Sequence, residues 1–191
     1  MTVMSHAAFA QRGGATMILV PGAGGASPRD FLIRNQSGLG SNGATLVVAL
    51  SSGEIVAAAR RAKTAGERVV IVGMSAGVPT VGQALAQGAP ADRIVLVSGI
   101  LMNNFRRAPF IQTLRSPARL PPTLVVHNRY DDCPGTSPDA VPAFLKWAGG
   151  RASVAWIESA GGPGQPCGPL SPHGHFGADG QAVSAILSFA R

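Results

Sequence analysis

The chain has 191 residues, of which 46% are hydrophobic and 13% charged. That is enough for one domain with a substantial core, and it is far from the composition of a disordered segment. The net charge of +7, almost all of it arginine scattered along the chain, comes with only 5% aromatics; with no basic stripe and no apolar run of bilayer length, this argues against nucleic acid partners and a membrane span.

Residues 1–14 read as a flexible tail, and 15–191 as a single domain. Inside the tail, Ala8-Phe9-Ala10 before Gln11 has the small-x-small shape of a signal cleavage site. Met1 to His6, however, supplies neither a basic start nor an apolar stretch. From Ala15 onward, short apolar runs alternate with helical patterns. Strands are expected near 17–20, 45–50, 69–72, 93–98, 123–127 and 153–157. Most are rich in Val, Ile and Leu on both faces, as buried parallel strands are. Helices are expected over 52–65, 76–86, 138–148 and 180–190. Ser52 and Gly53 can open the first of these, and Pro138 suits a first helical turn after Ser137. The alternation predicts an α/β fold, a three-layer α/β/α sandwich on a mostly parallel sheet of about six strands. The stretch 101–122 does not fit the alternation, carrying four arginines and no acid. It reads as an irregular, solvated connection, or else as a positive rim above the carboxyl edge of the sheet, where open α/β folds bind ligands.

Chemistry enters at "VVIVGMSAGVPT" (69–80). An apolar strand runs into Gly73-Met74-Ser75-Ala76-Gly77, and a helical segment follows. The plain reading is a tight turn with an N-capping serine. The sharper one is a nucleophile elbow, in which two glycines remove side chains where strand and helix would collide and leave the serine exposed. Such a serine needs a base, an acid to orient the base, and donors for the oxyanion. Hydrolases of this kind present Ser, then Asp or Glu, then His, on loops after successive strands. Asp131 and Asp132 follow the strand "TLVVH", and His173 and His175 lie in "LSPHGHFG" before the last helix. His6 lies in the tail, and His127 ends a strand too early to follow the acid.

With "LVPGAGG", "GMSAG", "HNRYDDC" and "HGHFG" in this order, the sequence resembles the α/β-hydrolase superfamily. The likeness is to small, cap-less members similar to esterases and dienelactone hydrolases, and it runs over about 17–191. It implies that Ser75 attacks, that a histidine relays its proton and that an aspartate holds the histidine. It also implies an oxyanion hole from the Ala76 N–H and one N–H of the Gly22-Ala23-Gly24 loop. Many relatives carry His-Gly in that loop; here Pro21-Gly22 stands instead, so Ala23 and Gly24 are both candidates. An aspartate two residues before a cysteine is common in such hydrolases, which favours Asp131, with Asp132 as a solvated turn residue. His-Gly-aromatic in relatives favours His173 as base, with His175 as the alternative; the other histidine would line the pocket or face solvent.

Competing chemistries fit less well. A dinucleotide fingerprint in "GAGGAS" would need a third glycine where Ser27 stands and an acid at the tip of the second strand. Cys133 and Cys167 lack zinc-type spacing, so no metal site is expected. If Asp131 meets His173, the two cysteines lie on neighbouring loops and a Cys133–Cys167 disulfide becomes plausible, against an alternative of two free buried thiols. A disulfide would lean the location towards the periplasm or exterior. The expected function is a serine hydrolase of a small-molecule carboxylic ester or related acyl compound, with an open, shallow site and no cofactor. An acyltransferase, or a hydrolase-shaped binding protein without activity, are the alternatives. Substrate identity and oligomeric state stay open.

Overall fold

Six apolar runs become strands because they can pack between layers of helices, the central ones on both faces. The computed structural model describes residues 13–102 and 107–191; up to residue 12, the expected tail lies outside them. The strands are β1 (Ala15–Val20), β2 (Thr45–Val48), β3 (Arg68–Met74), β4 (Arg93–Val97), β5 (Thr123–Asn128) and β6 (Ala152–Ile157). They form one sheet in the order β2-β1-β3-β4-β5-β6, every neighbouring pair parallel. Burial follows position: β3 is buried from its second residue onward, whereas the edge strands β2 and β6 are partly exposed.

Between them lie α1 (Phe31–Arg34), α2 (Gln36–Leu39), α3 (Ser52–Thr64), α4 (Gly77–Ala86), α5 (Phe110–Leu114), α6 (Ala140–Ala148) and α7 (Asp179–Ala190). Two cores result. On one face Ile18, Ile71 and Leu96 pack with α3, α4, α5 and α6; on the other Leu19, Val72 and Val97 pack with α1, α2 and α7. The chain leaves β1 to one side for β2 and returns on the other side as β3. The β1–β3 boundary is therefore the switch point of the sheet, where the loops after the strands diverge and open a crevice.

Four expectations shift. β2 stops at Val48 because the Leu50 N–H turns to the Glu54 carboxylate at 2.6 Å. Ser51, rather than Ser52, caps α3 by accepting from the Glu54 N–H at 3.3 Å. Ordered helix α6 begins at Ala140, two residues after Pro138. The largest change concerns 101–122, which is not simply a solvated connection. Phe110, Leu114 and Leu120 are buried against α4 and α6, each worth about 1.5–3 kcal/mol of apolar burial. Of its arginines, Arg119 donates to the Leu85 and Ala86 carbonyls at the end of α4. Arg115 is exposed, Arg107 stands beside the Gly22-Ala23 loop, and Arg106 lies outside the described residues.

Candidate active site

β3 delivers Ser75 to the switch point through a turn that leaves little room for side chains at Gly73 and Gly77. Ser75 adopts φ +50°, a left-handed conformation costing a non-glycine residue about 1–3 kcal/mol. Its N–H donates to the Val97 carbonyl at 2.9 Å, and its carbonyl accepts from Val78 N–H at 3.1 Å. A methyl at Gly73 would stand 2.8 Å from Val81 Cγ2. One at Gly77 would stand 2.5 Å from the Pro21 carbonyl and nearer still to that of Val20. The capping reading fails: Ala76 occupies the cap position of α4 without a side-chain bond, and Ser75 Oγ points elsewhere.

It points to His173. His173 Nε2 is 3.0 Å from Ser75 Oγ, and His173 Nδ1 is 3.0 Å from Asp131 Oδ2. His173 sits in a short 3-10 turn (Pro172–Gly174), and Asp131 in the turn after β5. Asp131 is 4% exposed, and its carboxylate is well supplied with donors. Oδ1 accepts from Cys133 N–H at 3.0 Å and Oδ2 from the Thr136 hydroxyl at 3.0 Å. Asp132 is exposed.

His175, two residues from His173, has a different setting. It is fully buried, with its ring tilted on Phe31 at 5.3 Å between centroids. Its Nε2 lies 3.0 Å from Ser98 Oγ, which itself donates to the His173 carbonyl at 2.8 Å. Burial pushes its pKa down to about 3, with the neighbouring histidines adding to the shift. His175 is thus neither solvent-facing nor aimed at Ser75; it braces the backbone of His173 from behind.

The loop after β1 forms the facing wall. Asp30 accepts from Gly22 N–H at 2.9 Å and from Leu32 N–H at 2.8 Å, the latter capping α1. Burial holds the Asp30 carboxyl above its usual range, while those N–H bonds pull the other way. With Gly22 N–H taken, the N–H groups of Ala23, Gly24 and Ala76 have no acceptor among the described residues. A cleft of about 210 Å³ opens over Ser75, lined by Ala23, Arg29, Phe31, Met74, Pro169 and His173 among others.

Two ties close the site. Cys133 and Cys167 form a disulfide, joining the acid turn to the loop that carries His173. Asp131, Cys133 and His173 are close enough to suggest a metal site, but the cysteine sulfur is spent in that bond. Arg34 reaches across the cleft wall: its guanidinium donates to the carbonyls of Arg29 (2.9 Å), Pro169 (3.2 Å) and Gly174 (2.6 Å), and pairs with Asp179 at 2.7 Å. Sequence reasoning named neither Arg34, Asp30, Ser98 nor Thr136. Only Asp30 had a local signal, a cap residue ahead of an apolar pair.

No protein-family model matches the chain, and no curated protein is significantly similar to it in sequence. Solved structures do resemble it. An esterase domain from Rhodothermus marinus aligns with a TM-score of 0.66 at 11% identity, over 96% of this chain and 88% of that one. An esterase of Pyrococcus furiosus aligns at 0.65 and 13%, over 93% and 81%. A structure from work on LipS and LipT, metagenome-derived lipolytic enzymes, aligns at 0.60 and 14%, over 94% of both chains. The chain has the α/β-hydrolase fold.

Proposed function

We propose that the protein is a serine hydrolase that cleaves a carboxylic ester or related acyl bond of a small substrate. The observation that carries this reading is the unbroken file Ser75 Oγ, His173, Asp131, with 3.0 Å at each step, at the mouth of a cleft. The shared fold of proteins named as esterases supports it. His173, neutral, accepts the Ser75 proton at Nε2 as Oγ attacks the acyl carbon. Asp131 holds the Nδ1–H and stabilises the imidazolium. The oxyanion is received by Ala76 N–H together with Ala23 or Gly24 N–H, donors aimed at charge that develops only in the transition state. The protonated histidine then passes its proton to the leaving alcohol, and water releases the acid. The cleft is smaller than the roughly 300–1,000 Å³ that accommodates drug-sized ligands, so a short acyl or alcohol group is the fitting occupant.

The test is turnover of p-nitrophenyl butyrate and labelling by a fluorophosphonate probe. Wild type should turn over and label. Ser75→Ala should lose about 10⁵–10⁶ in kcat, by analogy with serine hydrolases stripped of their nucleophile, and should not label. Wild-type turnover by Ser75→Ala removes Ser75 from the role, and absence of both activities in wild type leaves a binding protein.

A further inference from the structure

We infer that Thr136 is a positioning residue of the proposed hydrolysis, acting through His173 and Asp131; the inference rests on the reading above. Three atoms form a near-equilateral triangle: Thr136 Oγ1 is 3.0 Å from Asp131 Oδ2 and 3.0 Å from His173 Nδ1, which are themselves 3.0 Å apart. A hydroxyl has one proton to give. A carboxylate is a stronger acceptor than an imidazole nitrogen, so the proton goes to Asp131. Thr136 then turns only a lone pair towards His173. Nδ1 therefore faces two acceptor oxygens, and only a protonated Nδ1 is tolerated there. This leaves Nε2 bare towards Ser75, the form a general base requires. A sole aspartate partner would leave the imidazole free to tilt around a single bond; a second oxygen to one side fixes its plane.

Thr136 is itself held for this. It is 2% exposed, its N–H donates to the Cys133 carbonyl at 3.0 Å, and its own carbonyl accepts from His127 Nε2 at 2.7 Å. His127 is fully buried, its Nδ1 has no partner among the described residues, and burial lowers its pKa. A neutral His127 with its proton on Nε2 is thus a constant donor under Thr136. The titratable groups around Asp131 are His173 from the 3-10 turn and His127 from β5, the latter 3.4 Å from Oδ2. His175 and Arg34 lie behind them.

The experiment compares Thr136→Val, which keeps shape and removes the hydroxyl, with Thr136→Ala and Thr136→Ser. Each is assayed on p-nitrophenyl butyrate across pH and checked by circular dichroism, with Ser75→Ala in parallel. The valine variant should lose about 10–100-fold in kcat, the scale of a misplaced catalytic group, with KM within about twofold and the acid limb of kcat/KM displaced. The serine variant should return to within about threefold of wild type. Wild-type kcat with an unmoved limb in the valine variant would overturn the assignment. So would a serine variant as impaired as valine, or valine and alanine variants that both fail to fold. If Ser75→Ala instead keeps wild-type turnover, the underlying reading fails, which is a separate and recognisable result.

Discussion

Ser75 and His173 reach one another from regions built on opposite plans. The serine turn is a product of regular structure: β3 fixes its entry, α4 its exit, and the main chain of β4 accepts its N–H. The histidine arrives on the run 158–175, which contains one 3-10 turn and otherwise no helix or strand. Separate fastenings hold that run in place. They are the disulfide, the Arg34 bonds to Pro169 and Gly174, and Asn128 Nδ2 donating to the carbonyls of Ser159 and Pro172. A region held by a ladder fails when the backbone is obstructed; a region held by fastenings fails one fastening at a time.

The most damaging way to probe this contrast is Gly77→Ala. The new methyl meets the backbone of Val20 and Pro21, which cannot rotate aside as a side chain can. A loss above about 3 kcal/mol is expected, beyond ordinary overpacking, read as the urea midpoint or as failure to recover soluble protein. A melting temperature equal to wild type would show that the turn has slack. Cutting the disulfide comes next. It spans 34 residues of sequence, so pairing Cys133→Ala with Cys167→Ala should cost about 3–4 kcal/mol in the chain-entropy account. Amide exchange should then accelerate in 158–175 while β3 and α4 stay protected. Equal loosening of both regions would break the comparison.

Acid should act more gently and on the histidine side. His175 is neutral in the fold with a pKa near 3, against an ordinary value of 6.5. The unfolded chain therefore binds its proton first. The stabilisation is full above about pH 6.5 and is lost as pH falls towards 3. Between pH 7 and 5 this amounts to about 2 kcal/mol. His127 is displaced in the same direction and steepens the loss, whereas the raised Asp30 works against it. Asp92 and Asp179, both lowered, add their share only below their ordinary value of 3.8. Thermal melts across this window should show the decline, and His175→Gln should flatten it; an unchanged slope in that variant would assign the sensitivity elsewhere.

How far the sequence could be read follows the same division. All six strands and four of the helices are legible because alternating apolar runs report directly on burial. Ser75, Asp131 and His173 could be singled out because each stands at the end of a strand or in a short motif whose residue types are rare. The helices α1, α2 and α5 escaped notice: at four or five residues they are too short to display a 3.6-residue period. Arg34, Ser98 and Thr136 escaped for another reason. Each has a decisive partner on a distant segment, 37 to 145 residues away, and a contact across that distance leaves no mark on local pattern.

Arg34 has a consequence for what the pocket can admit. One nitrogen of its side chain grips Arg29 on one rim and Pro169 on the other, so the gap between the rims has a stop built into it. A bulkier guest cannot simply push the walls apart, because doing so strips a partly buried cation of two of its acceptors. Selectivity for size would thus reside in a residue that the guest never touches.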